Sequence, residues 1–176
     1  MAITIIIIIA VIALPLVIAL FIPKEYNLER IAIINAPKHK VFDYIKYVRN
    51  QEQYSKWAMA DPDQKITTTG TDGTVGFINA WDSAKKAGAG EQEITGLIDG
   101  ERITTELRFT RPFKNTGHSY MATETHNQSS TKVTWGLSGK MPYPLNLMTA
   151  LLKGGLAKDI DLSLNNLKQI LEENSK

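Results

Sequence analysis

The sequence predicts an α+β fold: a curved antiparallel sheet of about seven strands, two short helices near its start and a long C-terminal helix, all preceded by one transmembrane helix. Three observations carry this prediction. The first 22 residues hold no charge and only Thr4 and Pro15 outside the apolar set. From Asp61 to about Met141, short runs rich in Thr, Val and Ile are separated by Gly and Asp, which is the period and punctuation of strands. After Pro144 an apolar repeat of three to four residues resumes and continues through Leu171.

The N-terminal run is long enough to span a bilayer. At about 1.5 Å per residue a helix of this length reaches roughly 33 Å, against a hydrocarbon core of about 30 Å. A cleaved secretory signal would need a basic n-region, a shorter apolar core and small residues at its exit. Here no Lys or Arg precedes Lys24, and Phe21-Ile22-Pro23 is bulky where a peptidase needs small side chains. Residues 1–23 therefore read as an uncleaved anchor, in which bilayer helices tolerate a proline such as Pro15. Residues 24–176 carry every charge and are the length of one domain. Lys24, Arg30, Lys38 and Lys40 follow the span closely, so the positive-inside rule assigns that domain to the cytoplasmic side.

Composition excludes several function classes. The chain has 20 Lys+Arg against 18 Asp+Glu and no basic stripe, which argues against nucleic acid as a partner. With no cysteine there is no disulfide framework, no thiol nucleophile and no Cys-ligated metal.

Each element follows from its own segment. Residues 26–35 carry Ile31, Ile33 and Ile34 and predict a first strand. Pro37 suits a first helical turn, and Val41, Phe42, Tyr44, Ile45 and Val48 recur at helical spacing to about residue 48. A second short helix is expected over 50–57, with Tyr54 and Trp57 on one face. Strands are then expected over 64–70, 74–82, 90–98, 101–110, 116–125 and 131–140, joined by hairpin chemistry such as Asp99-Gly100. The terminal helix buries Leu156, Ile160, Leu164, Leu167 and Ile170 or Leu171, with a break expected at Gly154-Gly155. One curved sheet and one apolar helix face must bury against each other, and such a closure leaves a cavity between them.

The segments INAPKHKVFDYI (34–45), SKWAMADPD (55–63), GTDGTVGFINAW (70–81), AGAGEQEITGLIDGERITTELRF (87–109), TKVTWGLSGKMPYPLNLM (131–148) and DLSLNNLKQIL (161–171) occur in this order across residues 26–172. As an ordered set they resemble the SRPBCC superfamily of START- and birch-allergen-like proteins, and within it the polyketide cyclase/dehydrase-like family. The resemblance implies a helix-grip fold enclosing a hydrophobic ligand cavity; it does not by itself imply catalysis. Trp57 stands alone before Asp61-Pro62, where that family often has a second tryptophan, so the resemblance implies an altered pocket mouth.

Strand alternation assigns the cavity lining. Gly117, Ser119, Met121 and Thr123 should face inward and His118 outward. The same count turns Val133, Trp135 and Leu137 inward, with Ile103, Thr105, Leu107 and Phe109, with Val75, Phe77, Asn79 and Trp81, and with Gln92 and Ile94. The expected ligand-binding set is Trp57, Phe77, Asn79, Trp81, Gln92, Thr105, Leu107, Phe109, Ser119, Met121 and Trp135, closed by Leu145, Met148 and Leu152 of the terminal helix region. Mostly apolar, with neutral polar groups at Asn79, Gln92, Thr105 and Ser119, it is the composition of a lipophilic pocket with a few orienting hydrogen bonds. His39 and His126 fall in solvated turns, Arg102, Glu106 and Arg108 on the outer face, and no His/Asp/Glu set has metal-ligand spacing. No catalytic residue, metal or cofactor is expected. The function these readings favour is a membrane-anchored binding protein for a lipid, isoprenoid or polyketide-like molecule. An enzyme of cyclase or dehydratase type would need an ionisable group inside the cavity, and an interaction module would need a filled interior.

Overall fold

A computed structural model describes residues 2–85 and 88–173; the side chains of residues 2, 5–10, 12, 150 and 151 also lie outside the described residues. The elements run α1 (Ala2–Phe21), β1 (Glu25–Ile34), α2 (Lys38–Ile45), α3 (Gln51–Tyr54), β2 (Lys65–Thr69), β3 (Ile78–Asp82), β4 (Ala89–Ile98), β5 (Arg102–Arg111), β6 (Asn115–Asn127), β7 (Ser130–Lys140) and α4 (Leu147–Glu173). The strands form one antiparallel sheet in the order β1-β7-β6-β5-β4-β3-β2. It is an α+β fold whose long C-terminal helix is gripped by the sheet.

Among the described residues no helix is long and apolar enough to cross a membrane. Side chains 5–10 and 12, on which the expected span depends, are outside the described set. What is described is how α1 ends. The Asn146 amide donates to the carbonyls of Ala19 (2.6 Å) and Ile22 (2.8 Å), satisfying acceptors that a helix C-terminus leaves open. Ala19 is fully buried there. The end of α1 is thus fastened to the start of α4, whereas the sequence reading gave residues 1–23 no part in the packing.

Register fixes which end of the sheet is which. Glu25 pairs with Lys140, Gly117 with Gly139, Phe109 with Asn115, Ala89 with Arg111, and Lys65 with Asp82. The start of β1, the β3–β4 and β5–β6 hairpins, the start of β2 and the approach to α4 therefore share one end, the same end at which α1 stops. The opposite end carries the β4–β5 turn and the entry to α2.

Helices fill the two halves of the concave face unequally. Val41, Phe42 and Ile45 of α2, with Val48 and Tyr54, are fully buried among Ile34, Met121 and Val133. α4 adds Ile160, Leu164, Leu167 and Leu171 along the predicted face. It runs unbroken through Gly154-Gly155, where an added Cβ would meet nothing within 4 Å, so the expected break is absent. The half near the β3–β4 and β5–β6 hairpins is bordered by Gln51 and Glu52 of α3 but is not filled.

Two local departures from the sequence reading have physical causes. The strand expected over 74–82 begins only at Ile78. Asp72 accepts the backbone N–H groups of Val48, Arg49 and Gly73, which folds 70–77 into a loop, and Gly76 at φ +89° breaks the alternation, leaving Val75 exposed and Phe77 buried. The helix expected over 50–57 contracts to α3, flanked by 3-10 turns at Val48–Asn50 and Ala58–Ala60.

Candidate functional site

The unfilled half of the concave face is a cavity of about 340 Å³. Its walls come from every strand of the sheet. β3 contributes Asn79 and Trp81, β4 Gln92, β5 Leu107, Phe109 and Arg111, β6 Ser119, β7 Trp135 and Leu137, and β1 Tyr26. Trp57, Ala58, Gln64 and Ile66 close the side near β2, and Leu156 is the contribution of α4.

Of the residues expected to line it, Trp57, Asn79, Trp81, Gln92, Leu107, Phe109, Ser119 and Trp135 do so. Phe77 and Met121 do not. Both are in the solid core, 1% and 3% exposed, with the Tyr54 hydroxyl 3.5 Å from Met121 Sδ. They lie under α2 and α3, where no space is left. Thr105 is one layer behind the wall, accepting from Gln92 Nε2 at 3.1 Å. Met148 and Leu152 are exposed at 43% and 39%, and Leu145 is half-buried outside the cavity wall. The first α4 side chain to reach the cavity is Leu156, one turn later. Sequence reasoning missed Tyr26, Gln51, Glu52, Ser55, Gln64, Ile66, Arg111 and Pro112. Tyr26 was findable, since it alternates inward with Leu28 on β1, and so was Arg111, which continues the inward alternation of Leu107 and Phe109 on β5; the loop residues Ser55, Gln64 and Pro112 carried no periodic signal.

Aromatic rings dominate the interior. Trp135 meets Trp57 edge-on at 6.0 Å and Tyr54 at 6.0 Å, while Trp81 meets Phe109 at 5.7 Å. The chain has three tryptophans, and all three line this space. The polar groups are held by the sheet itself. Ser119 Oγ donates to the Gly136 carbonyl at 3.0 Å and accepts from Trp135 Nε1 at 3.0 Å, so both are satisfied without a ligand. Asn79 Oδ1 is buried with no hydrogen-bond partner, in contrast. Burial raises the Tyr26 phenol above its ordinary pKa, which keeps it a neutral hydroxyl at physiological pH. Glu52 and Arg111 are exposed at the rim, where Arg111 pairs with Asp82.

The rim is latched by a buried carboxylate. Asp61 is 3% exposed; it accepts from the Ser83 hydroxyl at 2.6 Å, from Lys85 Nζ at 3.0 Å and from the Asp63 amide at 3.2 Å. This ties the segment carrying Ala58 and Gln64 to the β3–β4 hairpin. The Ser83 bond first, and then Lys85, hold the Asp61 carboxyl below the usual carboxylate range. A depressed folded pKa adds stability that is present above the unfolded value and is lost as pH falls through the folded one. Asp61→Asn should therefore lower the melting temperature at neutral pH and flatten its decline below about pH 5. Melting curves of the two proteins that ran parallel from pH 7 to pH 3 would remove Asp61 from that role.

On the outer face, Arg108 bridges Glu91 (2.5 Å), Glu93 (2.7 Å) and Glu106 (2.6 Å), and His118 is exposed, both as alternation requires. Among the described residues no group of three His, Asp or Glu is arranged to hold a metal.

No family model matches the chain, and no curated protein matches it in sequence. Solved structures do match its fold. Norcoclaurine synthase from Thalictrum flavum, in complex with dopamine and hydroxybenzaldehyde, superposes with a TM-score of 0.64 at 8% identity over 85% of this chain and 87% of that one. A protein from Mesorhizobium loti gives 0.63 at 14% identity, over 84% and 98% of the two chains. One from Nitrosospira multiformis gives 0.60 at 13%, over 85% and 99%. These neighbours have the birch-allergen-like, SRPBCC-type helix-grip fold, and this chain has it too.

Proposed function

We propose that this protein binds a hydrophobic small molecule in the cavity between sheet and α4, and that residues 1–23 tether the domain formed by residues 24–176 to a membrane, on its cytoplasmic side. The observation that carries the reading is the aromatic-lined cavity of about 340 Å³. An apolar void of that size stays poorly hydrated, and an apolar guest gains free energy by entering it. Asn79 Oδ1, a buried acceptor in the cavity wall with no hydrogen-bond partner among the described residues, suits a guest with a hydroxyl or amine among its apolar atoms. Lipids, isoprenoids and polyketide-like aromatics all fit this description. In the same fold, norcoclaurine synthase is in complex with dopamine and hydroxybenzaldehyde, two small aromatic molecules.

Binding is favoured over catalysis by where the ionisable groups lie. Glu52 and Arg111 are at the solvent rim, and the interior offers amides, the hydroxyls of Ser55 and Ser119 and the Tyr26 phenol, groups that suit orienting a guest. A protein-interaction module would instead have a filled interior.

Native mass spectrometry of the full chain, released from detergent, tests the binding reading. A co-purified lipophilic mass, displaced by an added aromatic probe with a change in tryptophan emission, is the expected result. A bare protein mass together with probe-insensitive tryptophans would end it. For the tether, a C-terminal β-galactosidase fusion should be active and an alkaline phosphatase fusion inactive; the reverse would overturn the cytoplasmic assignment.

A further inference from the structure

The cavity is built at the end of the sheet where α1 stops. Trp81, Phe109 and Arg111 lie beside the β3–β4 and β5–β6 hairpins, and Tyr26 follows the first residue of β1. Asn146 fastens the last turn of α1 to the start of α4 at this same end. A tether held in this way brings that end of the domain, not the opposite one, to the bilayer.

The surface there is also dressed for an interface. Phe113 at the β5–β6 hairpin is 62% exposed, Tyr143 is 42% exposed, and Met148 and Leu152 are exposed on the first turns of α4. Among them stand Lys24, Lys114 and Lys153, all exposed and with no ion-pair partner among the described residues. The neighbouring carboxylates are largely neutralised: Glu25 by Lys140, Asp82 by Arg111, and Asp61 and Asp63 by Lys85. Glu52 at the rim stands against them. Large apolar side chains interspersed with lysines match the boundary between acyl chains and anionic headgroups.

A second, smaller hollow of about 50 Å³ lies between this surface and the cavity. It is lined by Met141, Leu152 and Leu28, and it shares Tyr26 and Leu156 with the cavity. Among the described residues, Tyr26 and Leu156 are the side chains common to the hollow beneath the exposed turns of α4 and the ligand space.

From this placement we infer that the cavity end of the domain docks on an anionic bilayer surface, with Phe113, Met148 and Leu152 in the headgroup region, so that the guest passes between membrane and cavity without crossing water. This rests on the tethering reading above and adds the docked orientation to it. The far end, with Ile98 56% exposed at the β4–β5 turn, stays about 30 Å away in solvent, given roughly 3.3 Å per residue along ten-residue strands.

The absence of native cysteine makes the orientation directly measurable. Single Phe113→Cys, Leu152→Cys and Ile98→Cys variants of the full chain, carrying an environment-sensitive fluorophore, would be reconstituted into phosphatidylcholine vesicles containing phosphatidylglycerol. Labels at 113 and 152 should emit to the blue with several-fold higher intensity, and the label at 98 should emit as in water. Adding Lys114→Glu and Lys153→Glu should reverse most of the shift, since each lysine near such a surface is worth about fivefold in partitioning. Protein retained through an alkaline wash but with all three labels in water would overturn the docking and leave the tether standing. Equal blue shifts at all three sites would overturn it as well, by showing unoriented adsorption. Protein lost in the wash would overturn docking and tether together, leaving the binding test by mass spectrometry unaffected.

Discussion

Leu167→Ala should destabilise the protein by about 3 kcal/mol, while Leu162→Ala, five residues earlier on the same helix, should cost less than about 1 kcal/mol. Leu167 is fully buried in the cluster that joins α4 to the sheet and to Tyr54, and Leu162 is 44% exposed. Removing the Leu167 side chain subtracts the transfer free energy of its methylenes and leaves a hole that the rigid sheet beneath cannot collapse. For a domain of this size each kcal/mol moves the midpoint by roughly 2–4 °C, so the two variants should differ by several degrees in thermal melts followed by circular dichroism. The loss should be larger than that from Asp61→Asn, because α4 closes the whole concave face and Asp61 latches only its rim. Equal melting temperatures for the two leucine variants would mean that the apolar face of α4 does not hold the fold closed.

That face was legible in the sequence because a helix on a sheet must repeat its apolar residues every three to four positions. Ile160, Leu164, Leu167 and Leu171 do so without interruption. The six-strand meander was legible for a related reason: hairpin signals such as Asp99-Gly100 join sequence neighbours as antiparallel pairs, whereas the pairing of β1 with β7 is a long-range contact that no local signal carries. The void was harder to place. Alternation says which side of the sheet a residue faces, and it turned Phe77, Met121, Asn79 and Trp81 to the concave side alike. Whether that side is filled depends on where α2 and α3 lie, and their position is set by the loop in which Asp72 caps the backbone at Val48 and Arg49. Phe77 and Met121 fell under the helices, and Asn79 and Trp81 fell beyond them. Met148 and Leu152 were assigned to the closure because they continue the α4 period, but both are exposed outside the cavity wall, which α4 reaches at Leu156. The loop residues Ser55 and Gln64 had no period to betray them, since loops are placed by individual hydrogen bonds.

Leu107→Trp should weaken binding of a lipophilic fluorescent probe at least about tenfold, a change of roughly 1.4 kcal/mol, while leaving the melting temperature unchanged or slightly higher. Leu107 lies mid-strand on β5 between Gln92 and Gly117, with its side chain in the cavity wall. The Leu107 side chain borders the cavity itself, so a larger ring at 107 can extend into space that the sheet does not fill. Occupying an apolar void adds dispersion contacts and displaces only poorly held solvent, which is why stability should not suffer. Ser119→Phe, which would also put a ring into the cavity, is a poorer probe. It would strip the Trp135 indole of its acceptor and the Gly136 carbonyl of its donor, so lost binding would be confounded with a damaged sheet. Ile98→Trp, at the exposed turn remote from the cavity, serves as the control and should bind as the parent does. If Leu107→Trp kept both the affinity and the tryptophan response of the parent protein, the guest would have to sit elsewhere, and the cavity would lose its assigned role.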